Sequence, residues 1–123
     1  MTADRAESGA AIAEFALILP VLMLLLVGTA EFGRLLWTKS LLDHAVNEAA
    51  RCASVNATTC GTTDATRSFA VLRSAPLPVT NAIFAVTSPS CGSRVTATYP
   101  FTFAAPALLP FSITLVSQSC FPK

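Results

Sequence analysis

Hydrophobic and polar positions divide the chain into regions of different period. Residues 15–30 read F-A-L-I-L-P-V-L-M-L-L-L-V-G-T-A, without a charge. Extended back to Ala10, the apolar run is broken only by Glu14. As a helix, residues 10–30 span about 30 Å, the thickness of a bilayer's hydrocarbon core. This segment therefore enters a membrane, permanently or in transit. Pro20 lies inside it. In a soluble helix such a proline costs about 3 kcal/mol, but membrane helices tolerate it.

No break follows the apolar run. Residues 31–55 contain no proline, and their one glycine is Gly33. Leu35, Leu42, Val46, Ala49 and Ala53 recur at helical spacing and form one stripe. Lys39 with Asp43 is an i,i+4 pair, and Glu31 with Arg34 and Glu48 with Arg51 are i,i+3 pairs; each is worth a few tenths of a kcal/mol. The pattern predicts one helix from about residue 8 to about residue 54. Its first half is apolar all round. Its second half is amphipathic and needs a cover.

Beyond this helix the periods shorten. Residues 56–62, N-A-T-T-C-G-T, read as a loop. Thr62 or Thr63 caps a short helix that shows Ala65, Phe69 and Leu72 on one face and stops before Pro76. Strand-like stretches follow at about 79–87, 93–101 and 111–119. In the second, Val95, Ala97 and Tyr99 alternate with polar residues. The connection A-A-P-A-L-L-P at 104–110 is apolar enough to pack down. A small antiparallel sheet on the amphipathic half of the long helix gives an α+β fold.

Composition sharpens this picture. The chain has 123 residues, one domain's worth, with 53% hydrophobic and only 12% charged residues. Once the apolar run is set aside, the remaining core is small and gains from staples. All four cysteines, Cys52, Cys60, Cys91 and Cys120, follow the run, which suggests disulfides in an oxidising compartment. Four cysteines allow three pairings. Joining chain neighbours, Cys52 to Cys60 and Cys91 to Cys120, is preferred. The net charge of +1 leaves no nucleic-acid footprint. After Asp64 the only charges are Arg67, Arg73, Arg94 and Lys123, which suits either an acidic partner or plain solvation.

Glu14 raises the question of function. An ionised acid at the centre of a membrane helix costs about 2–3 kcal/mol, and less near its end. One reading is a helix-start acid favoured by the macrodipole. However, a capping box on Ser8 would need its acid at residue 11, which is Ala11. The other reading is a processing site in S-G-A-A-I-A-E-F. Cleavage after Gly9 would create an ammonium at Ala10, which could pair with Glu14 of a neighbouring subunit.

The motifs G-A-A-I-A-E-F-A-L-I-L-P, G-T-A-E-F-G-R-L-L and H-A-V-N-E-A-A-R, in that order over about residues 8–53, resemble the TadE-like family. These are pseudopilins of the tight-adherence (Flp, type IVc) pilus system. The late V-T-A-T-Y-P-F-T also looks like that family's late strand. The resemblance implies a minor pilin-like subunit cut by a prepilin peptidase. It also implies partners among other pilin subunits and the Tad assembly machinery, with roles in filament biogenesis, adhesion and biofilm formation. Carried over, Gly9 is the cleavage residue, Ala10 the mature start, and Glu14 with Phe15 the assembly contact. Classical type IV pilins begin with Phe after cleavage, whereas this chain would begin with Ala. The implied division is a leader at 1–9, a membrane-spanning half-helix at 10–30, and an extracytoplasmic domain at 31–123. The chain is then a single-pass protein of a bacterial inner membrane.

Two rivals stand beside this reading. Gly28-Thr29-Ala30 is a small-x-small pattern of the kind signal peptidase cuts, which would release residues 31–123 as a secreted binding domain. An uncleaved anchor displaying such a domain is the other. Against signal cleavage, residues 1–9 carry Asp4, Arg5 and Glu7 without a positive bias, and the helical pattern continues through 30 and 31.

Catalysis has little support in the chain. His44 stands beside Asp43 on the amphipathic helix without further ligands at metal spacing. Cys52 and Cys60 lack the C-x-x-C spacing of a redox or zinc motif. No Gly-rich phosphate loop occurs. We therefore expect no enzyme, metal, cofactor or small-molecule substrate. Trp37, about a turn and a half past Glu31, reads as an interfacial aromatic or as core packing.

Overall fold

The computed structural model describes the backbone of residues 3–123 and the side chains of residues 9–123. Helix α1 runs through Ala3–Val55, with Pro20 inside it. The chain falls into two compact units, one reaching to Arg34 and the other Leu35–Lys123.

In the first unit the apolar stretch of α1 is long and apolar enough to cross a membrane, with none of it buried. Ile12, Phe15, Leu17, Ile18 and Val21 are all exposed. Thr29 donates its hydroxyl hydrogen to the Leu26 carbonyl at 3.0 Å, satisfying its polar group within the helix. Arg34 donates to Glu31 Oε2 at 2.9 Å. The polar leader proposed for residues 1–9 lies, except for Gly9, outside the residues whose side chains are described.

The second unit is the α+β part. The end of α1 is followed by a single helical turn, α2 (Ala57–Cys60), and then by helix α3 (Thr63–Arg73). Strands β1 (Phe84–Thr87), β2 (Ser93–Thr102) and β3 (Ser112–Phe121) form one antiparallel sheet in the order β1-β2-β3. Phe84 pairs with Ala97, Ala97 with Ser117 and Tyr99 with Leu115, which gathers the inward residues on one face. The long helix packs on this sheet through its amphipathic half. Leu42, Val46, Ala49 and Ala50 form one core with Ala70 of α3 and with Phe84, Val95, Ala97, Phe101 and Leu115 of the sheet. Leu35 packs at its margin. The alanines permit close approach of the layers, and the burial of this stripe supplies what the isolated helix lacks.

Local signals set the ends of these elements. Asn56 leaves the helical region at φ −126° and ψ 83°, and its side chain accepts from the Thr59 N–H at 3.0 Å. This ends α1 and starts α2, so the expected loop at 56–62 contains a helical turn. Thr62 caps α3 by accepting from the Ala65 N–H at 3.2 Å. At the β1–β2 turn Gly92 has φ +119°, and an added Cβ would collide with the Phe121 carbonyl.

Some expectations shift. Strand β1 is shorter than the stretch at 79–87, because Asn81–Ile83 forms a 3-10 turn. The fully buried residues of α3 are Thr66 and Ala70; Phe69 packs half-buried at the core margin, whereas Leu72 is 75% exposed. Small side chains suit the close contact of α3 with Ala49 and Ala50, and Thr66 satisfies its hydroxyl on the Cys60 and Thr62 carbonyls at 3.2 and 3.0 Å. The 104–110 connection stays largely open. Leu108 is exposed, and the segment is held by backbone bonds to the Ala105 carbonyl. At its two ends Phe103 meets Phe101 and Phe111 edge-on at 5.4 and 5.1 Å.

Candidate functional site

The residues singled out in the sequence do not converge on one place. Gly9, Ala10, Glu14 and Phe15 stand exposed along α1. A Cβ added at Gly9 would meet nothing within 4 Å, so the peptide bond that follows it is open to approach. Gly9 also lowers local helix stability by about 1 kcal/mol relative to Ala. Glu14 makes no ion pair or hydrogen bond among the described residues. It lies about 7.5 Å along the axis from Gly9. Among the described residues its carboxylate is thus left without a partner.

The cysteines form two disulfides. Cys52 and Cys60 join across 5.7 Å between Cα atoms, and Cys91 and Cys120 across 6.3 Å. Both separations lie within ordinary disulfide geometry. The first ties α2 to the last turns of α1. The second ties the β1–β2 turn to the far end of β3. There Arg94, the neighbour of Cys120 across the sheet, donates weakly to Cys91 Sγ at 3.7 Å.

A polar node pins the long helix to the sheet edge. Lys39 Nζ donates to Asp43 Oδ1 at 2.6 Å, to the Val116 carbonyl at 2.9 Å and to Ser117 Oγ at 2.8 Å. The sequence shows the pair with Asp43 but not the contacts with β3. Partial burial pushes the Asp43 carboxyl up. The hydrogen bonds from Lys39 and Ser117, with the Lys39 charge, outweigh burial and hold it below the usual carboxylate range.

A second group surrounds a pocket of about 360 Å³ where α1, α2 and α3 meet. Arg73 Nε lies 3.3 Å from Glu48 Oε2, and the guanidinium stacks over Phe69 at 4.9 Å from the ring centre. The local spacing pairs Glu48 with Arg51, but the structure gives Glu48 to Arg73. Packing α3 beside α1 brings that arginine to the glutamate with an aromatic support behind it. Arg51 lines the same pocket.

The remaining candidates stay apart. His44 is exposed. Among the described residues no three of His, Cys, Asp and Glu gather as a metal site. Trp37 is 63% exposed, so it is not core, and it borders a shallow groove with Ser40 and Leu41.

Neither a curated protein nor a solved structure shows a significant match to this chain. A family does match, and it covers the helix that carries Gly9, Glu14 and the amphipathic stripe. Over residues 9–51 the chain matches the family model described as TadE-like protein, the family that its N-terminal motifs resemble.

Proposed function

We propose that this protein is a minor pilin, or pseudopilin, of a tight-adherence (Flp, type IVc) pilus assembly system. Its TadE-like segment associates it with Tad pilus machinery. The observation that carries the finer reading is the TadE-like match on an exposed apolar helix whose one acid, Glu14, has no partner among the described residues. In this reading residues 1–9 are a leader, 10–30 cross the bacterial inner membrane, and 31–123 are extracytoplasmic. The two disulfides support that side for the folded unit, since such bonds persist in oxidising compartments.

The work of such a subunit is structural. A prepilin peptidase cuts after Gly9, and Ala10 gains a charged amine. In the apolar medium that amine pairs with Glu14 of an adjacent subunit, while Phe15 packs beside it. Separating a buried pair costs about 3–5 kcal/mol, enough to fix the register of neighbouring helices. The exposed apolar residues of α1 then exchange lipid contacts for contacts with other pilin helices. Filament biogenesis, surface adhesion and biofilm formation follow from that assembly. The TadE-like match continues through residues 30 and 31, which favours a single functional helix over signal-peptidase release.

The test is intact-mass analysis of the protein from its native host. A mature chain starting at Ala10 is expected; one starting at Met1 or Glu31 refutes the proposal. Glu14→Ala should be processed normally yet enter filaments poorly, and normal incorporation would remove the role given to Glu14.

A further inference from the structure

Residues 35–123 contain three side-chain carboxylates, Asp43, Glu48 and Asp64. All three are taken by ion pairs, with Lys39 at 2.6 Å, Arg73 at 3.3 Å and Arg67 at 3.4 Å. The same stretch carries six bases, so Arg51, Arg94 and Lys123 have no carboxylate among the described residues. Of these three, Arg51 alone opens on the 360 Å³ pocket. The pocket therefore holds an uncompensated guanidinium beside a second arginine that is already fixed in place. Glu48 engages Arg73 through Nε, which leaves its terminal nitrogens available. Val55, 74% exposed, and Phe69 add apolar walls.

We propose that this pocket docks an acidic, partly apolar peptide segment of a partner protein, with its carboxylate held between Arg51 and Arg73. Two guanidinium forks suit a planar carboxylate, and Phe69 keeps one of them oriented before the ligand arrives. Glu48 on the wall disfavours a doubly charged phosphate more than a singly charged carboxylate. The apolar walls take a side chain adjacent to the acid. All of these groups lie within residues 48–73, so the pocket takes its ligand whether or not the chain is cut after Gly9.

The test uses the full chain in nanodiscs of zwitterionic lipid. Fluorescence anisotropy would follow a labelled peptide of alternating leucine and glutamate, and its glutamine counterpart. The glutamate peptide should bind about tenfold more tightly, and added salt should narrow the gap. Arg51→Gln, an exposed change whose folding circular dichroism can verify, should weaken binding about five- to tenfold. Arg51→Lys should recover part of that loss, and Lys123→Gln should have no effect. Equal binding of the two peptides, or no binding at millimolar concentration, overturns the proposal. So does indifference to Arg51→Gln, or an equal loss in Lys123→Gln. Displacement of the peptide by anionic lipid vesicles, lost in Arg51→Gln, would assign the pocket to a headgroup instead.

Discussion

The two disulfides should contribute unequally to stability, because they close loops of different length. Cys91 and Cys120 are 29 residues apart, whereas Cys52 and Cys60 are 8 apart. Loop-closure entropy gives about 3.6 kcal/mol for the longer loop and about 2.5 kcal/mol for the shorter. The difference, about 1 kcal/mol, comes from the unfolded chain, since a longer loop loses more freedom when its ends are tied. Comparing Cys→Ala variants directly would mix this with burial, because Cys52 and Cys60 are the more buried pair. The cleaner comparison leaves one disulfide in place and measures it oxidised and reduced. The full chain in detergent micelles would carry Cys52→Ala with Cys60→Ala, or Cys91→Ala with Cys120→Ala. Hydrogen exchange of the β2 amides reports the opening free energy, since β2 is paired on both sides. Reduction should lower protection about 400-fold when Cys91–Cys120 is the remaining bond, and about 70-fold when Cys52–Cys60 is. An equal or reversed ranking would refute the loop-length account.

The remaining predictions concern the node and the core. Asp43 has a depressed folded pKa, so its contribution is complete above its ordinary value of 3.8 and is lost as pH falls through the lower folded value. Asp43→Asn should therefore flatten the acid limb of a stability–pH curve below about pH 4, and an unchanged limb would exclude Asp43 as its source. Phe101→Ala empties a fully buried site between the sheet and α1 and should cost about 3–5 kcal/mol in urea titration. Trp37→Ala should stay within about 0.5 kcal/mol, because that ring packs on no core; a loss near that of Phe101 would contradict its exposure.

Much of this protein follows from local pattern alone. The long helix is legible because an uncharged run leads without a breaker into a helical stripe, and Leu42, Val46 and Ala49 then bury as that stripe implies. β2 is legible for the same reason. Alternation puts Val95 and Ala97 on one face whatever they pack against. The motifs from Gly9 to Arg51 are likewise continuous in sequence, and the family match covers that stretch.

What the pattern leaves open is how elements turn toward one another. On α3 the buried face lies about one residue, roughly 100°, from the one that the bulky residues mark. The small Ala70 enters the core that Ala49 and Ala50 share, while Leu72 stays outside it. Glu48 exchanges a neighbour three residues away for Arg73, and Lys39 reaches Val116 and Ser117 on β3. Exposure of Trp37 and the pocket shared by Arg51 and Arg73 are decided the same way. Backbone geometry and neighbouring side chains set the period of each element. The rotation and approach of packed layers depend on side-chain volumes far apart in the chain, and only the folded core brings those volumes together.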